Sequence, residues 1–207
     1  VIVVGILGTS GGAVLEVARR TAATGARTEV VGAAPTGATG DRLLLQLATA
    51  GVGHATVTRS NSAVADPAAG PERAAGGEPA AGPAAQPEIE PADLELALRY
   101  LPDVRAIVLV EPPASLLATA VAATSFAGAT LIVVGPVEAT ALDALAAPLP
   151  IVLDPPAHDP DGAFAGVVAA LATRLDAGED PAGAWAATVT SLAVEPASRP
   201  SGRDRAF

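Results

Sequence analysis

The chemistry-bearing residues of this chain are few, and they gather in Asp154-Pro155-Pro156-Ala157-His158-Asp159-Pro160-Asp161. Three carboxylates and an imidazole at that spacing can hold a divalent cation through oxygen and nitrogen, and the three prolines stiffen the segment. The plainer reading is a solvated acidic turn before a helix, with Asp161 as the N-cap that accepts the amide of Ala163 or Phe164. His54 stands beside an apolar run and reads as a surface or internally satisfied histidine rather than a ligand. Gly5-Ile6-Leu7-Gly8-Thr9-Ser10-Gly11-Gly12 is a glycine-rich turn ahead of a helical pattern. It lacks the Gly-x-Gly-x-x-Gly spacing, and no acid closes the run Thr28 to Val31, which argues against a dinucleotide-dependent dehydrogenase.

Composition removes further classes. The chain has 207 residues, enough for one domain with a sizeable core. Every basic residue is Arg, so there is no phosphate-loop lysine and no amine for a Schiff base. Cys is absent, which excludes disulfides, thiolate nucleophiles and zinc-cysteine sites. No Gly-x-Ser-x-Gly elbow is present. A net charge of -10 repels nucleic acid and anionic membrane surfaces, and 2% aromatic content leaves no stacking platform for bases. The apolar start Val1 to Leu7 has no basic flank, so neither a leader nor a membrane span is expected, and the expected location is cytoplasmic.

The elements that must position these residues follow from periodicity. Val1 to Val4, Thr28 to Val31 and Val52 to Val57 read as buried strands, separated by helical patterns through Ala13 to Ala22 and Asp41 to Ala50. Gly25 reads as a helix C-cap. From Asn61 to Pro91, twenty of thirty-one residues are Ala, Gly or Pro, too little apolar content to offset ordering entropy, so a flexible insertion is expected there. Pattern then resumes: helix 92–101, strand 106–110, helix 115–126, strand 129–134, helix 139–146, strand 151–153, and helices 163–177 and 181–194. Phe164 and Trp185 read as core anchors of the last two helices, and 196–207 as a polar tail. Strand-helix alternation predicts a three-layer α/β/α sandwich with a mainly parallel sheet, split by the insertion into parts 1–60 and 92–195.

The order of these pieces resembles the PfkB family of carbohydrate and nucleoside kinases, the ribokinase-like fold. Three stretches carry the likeness: Gly11-Gly12 opening the first helix, Val31-Gly32 with Gly40-Asp41-Arg42-Leu43-Leu44 and Ala50-Gly51-Val52, and Asp161-Gly162-Ala163-Phe164-Ala165-Gly166. The resemblance implies ligand contacts at Gly11, Gly12, Gly40, Asp41 and Gly162, a sugar or nucleoside ligand, and, for an active enzyme, ATP and Mg. In the family a Gly-Ala-Gly-Asp-x-Phe signature supplies backbone N–H groups to the transferring phosphate and an Asp as base. Here Asp159-Pro160-Asp161-Gly162-Ala163-Phe164 stands in its place, with Gly162 at the position of the base and acids and a proline in place of the glycines.

Three readings stay open. The first is a degenerate ribokinase-like protein that binds or regulates without phosphotransfer. The second is a small active kinase in which Asp161, shifted by one residue, serves as base. The third is a structural or interaction module. With the lid region replaced by the Ala/Gly/Pro segment, uncovered apolar surface predicts a homodimer or a complex with another protein, and the small-residue face of Ser115 to Phe126 is a suitable contact.

Overall fold

The computed structural model describes residues 1–7, 12–60, 89–101, 103–143, 145, 148–159 and 161–194. Six strands, β1 (Ile2–Ile6), β2 (Glu29–Pro35), β3 (Gly53–Ser60), β4 (Ala106–Val110), β5 (Thr130–Val134) and β6 (Ile151–Leu153), form one sheet in the order β3-β2-β1-β4-β5-β6. Every pairing is parallel. Among the described residues the helices are α1 (Gly12–Ala23), α2 (Gly37–Thr49), α3 (Pro91–Tyr100), α4 (Ala114–Ala127), α5 (Ala139–Asp143), α6 (Ala163–Asp176) and α7 (Pro181–Val194). The expected three-layer α/β/α sandwich is therefore the observed one.

The uninterrupted apolar strands have a simple cause, since both faces of the sheet are covered. Side chains alternate along each strand. Val3, Val108, Val110 and Ile132 enter a core shared with α1, α2 and α6, whereas Ile2, Val4, Ile107, Leu109 and Val133 enter a second core under α3 and α4. The largest buried side chains are Leu and Ile, with Leu7, Leu43, Leu94, Ile107, Leu116 and Leu171 all nearly inaccessible. Ile89, which the sequence pattern leaves in the insertion, is buried in the second core, and Pro91 opens α3. The rest of that insertion, 61–88, and the tail lie outside the described residues, as does Gly11.

Three sequence expectations change. First, α2 begins at Gly37, so Gly40 and Asp41 sit within its first turns rather than at its start. A Cβ on Gly40 would run into the Pro35 carbonyl. This close approach of α2 to the end of β2 is what the glycine permits. Second, β2 continues through Gly32-Ala33-Ala34-Pro35, all buried, although these residue types have low strand propensity. Third, Trp185 is 41% exposed rather than a core anchor, while Phe164 packs half-buried against the first core as expected. Among the described residues no helix is long and apolar enough to cross a membrane.

Candidate functional site

Strand order reverses between β1 and β4, which places a crevice at their carboxyl ends, where ligands of open parallel α/β sheets bind. On one side Leu7 is buried and Gly12 opens α1 at φ +50°. On the other, Glu111 follows β4 directly, is exposed, and adopts φ +48°. Pro112 restricts the αR region for Glu111, and a left-handed conformation costs a non-glycine residue about 1–2 kcal/mol. Its amide donates to the Val134 carbonyl at 2.8 Å, which ties the strained residue to β5. Gly135, at φ +117°, closes against the Glu111 side chain, where even a Cβ would come within 3.3 Å of Cγ. Sequence reasoning missed Glu111. The available signal was an acid placed between a fully apolar strand and two prolines.

Gly40 and Asp41 also lie at the carboxyl end of the sheet, over β2 and β3. Asp41 accepts a hydrogen bond from Arg59 Nη2 at 2.6 Å. That pair fastens α2 to the edge strand β3, and both partners remain well exposed.

The N-terminus of α6 carries the third element of the site, and here the structure reassigns a role. Asp159, not Asp161, caps the helix: its Oδ1 accepts from the Ala163 amide at 2.8 Å and its Oδ2 from the Phe164 amide at 3.0 Å. The reason is local geometry. Gly162 adopts φ +64°, and its amide donates to the Asp159 carbonyl at 3.2 Å, so the turn folds the Asp159 side chain back over the helix end. Asp161 is exposed, and only its carbonyl is engaged, accepting from Arg20 Nη2 at 2.9 Å. Arg20 in turn is held on α1 by Glu16, with Nε to Oε1 at 2.6 Å. The cation nearest this helix end is thereby already paired with a carboxylate.

This donor set does not fit a phosphate as it stands. Two of the first amides of α6 are committed to Asp159, and further negative charge follows at Asp161. A Cβ on Gly162 would lie 3.0 Å from Arg20 Nη2 and 3.3 Å from Glu16 Oε1, in a backbone conformation unfavourable to any L side chain. Asp154, His158, Asp159 and Asp161 do not converge: among the described residues no three acids or histidines form a cation-holding group. His54 is satisfied locally, its Nδ1 lying 3.1 Å from the Val52 carbonyl. A cavity of about 630 Å³ lies away from this crevice, between α3 and α4 at the amino ends of β4 and β5.

No protein-family model and no curated protein sequence matches the chain. Solved structures do. A protein designated Sa239 aligns over 90% of this chain and 85% of its own, at 14% identity and a TM-score of 0.56. Phosphofructokinase-2 from Escherichia coli in complex with fructose-6-phosphate aligns over 87% of this chain and 82% of its own, at 17% identity and a TM-score of 0.50. Against a fructokinase from Xylella fastidiosa (16% identity, TM-score 0.44) the match covers 77% of this chain and 49% of that enzyme. The likeness to phosphofructokinase-2, with the parallel six-stranded sheet between two helical layers, makes the fold a ribokinase-like α/β sandwich.

Proposed function

We propose that this chain is a degenerate PfkB-like carbohydrate-kinase homologue that has lost phosphotransfer and acts as a binding or regulatory protein. The observation that supports this reading is the Asp159 carboxylate seated on the Ala163 and Phe164 amides. Phosphoryl transfer depends on positioning and on electrostatic stabilisation of the moving charge. A helix N-terminus that already holds an anion of the chain itself offers little to a second one. Gly162, at the place of the family's base, has no side chain to take a proton. Its left-handed backbone also disfavours an acid there. The crevice between β1 and β4 is bordered by Gly12 and by the Glu111 carboxylate, a hydrogen-bond acceptor suited to a hydroxyl-rich ligand, with Gly40 and Asp41 further along the same sheet end.

Calorimetric titration with MgATP, and with a panel of sugars and nucleosides, combined with a coupled ADP-release assay, tests the reading. The expected result is no turnover with any acceptor, in the wild type and in Asp161→Ala alike. Turnover in the wild type that vanishes in Asp161→Ala would instead establish an active kinase with Asp161 as base.

A further inference from the structure

The groove between α3 and α4 has no part in the crevice chemistry, and its composition is unusual for a surface open to water. Its floor is Leu98, Val104, Ile107, Ala122 and Ala123, and Phe126 stands at its edge with 96% of its surface exposed. Helix α4 contains no charged residue, and its exposed side is alanine, serine and Phe126. A recess of this size lined mainly by aliphatic carbon, with an exposed aromatic ring at its edge, marks an interaction site.

We propose that a second copy of this chain covers the groove across a two-fold axis, with each protomer's Phe126 seated in the other's cavity. A contact of that symmetry must be self-complementary, since the same patch is used twice. This patch meets the condition in shape and in charge. It carries both a protruding aromatic ring and an apolar recess of about 630 Å³, roomy enough to admit one. It also carries charges of both signs one helical turn apart, Glu95 and Arg99, and among the described residues neither forms an ion pair. Antiparallel apposition of two α3 helices sets Glu95 of each protomer against the partner's Arg99. The inference does not depend on whether phosphotransfer is retained.

Sedimentation velocity and light scattering across a concentration series give the test. The wild type is expected to dimerise at tens of micromolar, and Phe126→Ser to weaken the association more than about tenfold, as loss of a central aromatic anchor does. Ala122→Trp, which fills the groove one helical turn from Phe126, is expected to do the same. Arg99→Glu and Glu95→Arg are each expected to weaken the dimer and, combined, to restore it. Phe126 is exposed, so its replacement leaves the fold intact, and the charge-swap rescue is independent of folding. A monodisperse monomer at these concentrations overturns the proposal, as does a dimer indifferent to both Phe126→Ser and Ala122→Trp. A monomer whose groove takes up a hydrophobic dye, displaced in Ala122→Trp, would make the groove a small-molecule site and equally overturn it.

Discussion

Asp159 and Asp161 are two residues apart and chemically identical, yet only one holds a helix. A side-chain cap contributes about 0.5–2 kcal/mol, whereas an exposed carboxylate without a partner contributes little. Asp159→Ala is therefore expected to lower unfolding free energy by about 1 kcal/mol, and Asp161→Ala by less than about 0.5 kcal/mol, both read from urea denaturation. Equal losses, or a larger one for Asp161, would contradict the capping assignment. The sequence shows the acidic turn but not which acid does the capping. That choice depends on Gly162 taking φ +64°, a conformation that glycine permits without announcing. Glu111 was hidden for a related reason: nothing in a Val-Glu-Pro string shows that the backbone is left-handed there.

Elements were legible wherever hydrophobic periodicity was strong. β4, β6 and α7 fall on the expected residues, and α4 and α6 lie within one residue of their expected ends. The misplaced boundaries of β2 and α2 involve glycine, alanine and proline, while β3 runs three residues past its expected end, through Thr58-Arg59-Ser60. Gly37-Ala38-Thr39-Gly40 reads as a loop by propensity, yet it forms the first turn of α2 because packing against β2 outweighs a penalty of about 1 kcal/mol per glycine. The two glycines there are not equivalent. Gly37 needs φ +75° but faces open space, whereas Gly40 is buried against the Pro35 carbonyl. Gly37→Ala is expected to cost about 1 kcal/mol for its left-handed backbone. Gly40→Ala should cost more than about 2 kcal/mol, because neither a helix nor the end of a strand can yield easily to overpacking. Thermal denaturation of the two variants checks the order; a Gly40→Ala protein as stable as the wild type would show that α2 is free to move off β2. The Arg59–Asp41 pair bridging the same two elements is exposed and adds at most about 1 kcal/mol.

At the scale of the whole molecule, the sheet divides the interior into two aliphatic cores, and the first of them is closed by parts of the chain far apart in sequence. Thr24, in the turn after α1, and Thr173 on α6 share a hydrogen bond at 2.8 Å across 149 residues, and Arg20 reaches the Asp161 carbonyl across 141. The central strand β1 pairs with β4 as Ile2 with Ile107. That topology dictates a timetable for the nascent chain. β1 and β2 can meet early through the short α1 crossover, but β1 has no neighbour on its other side until β4 has been synthesised. The flank of α1 that meets α6 then stays uncovered until α6 emerges, late in this sequence. Closing such long loops before their contacts form slows folding, so refolding in milliseconds to seconds rather than microseconds is expected by stopped-flow fluorescence of Trp185. Translation stalled after β6 should yield a chain that remains protease-sensitive throughout, because the core shared by the sheet, α1 and α6 would still be open to water on the α6 side; resistance at that length would show that the first half folds without its lid of α6.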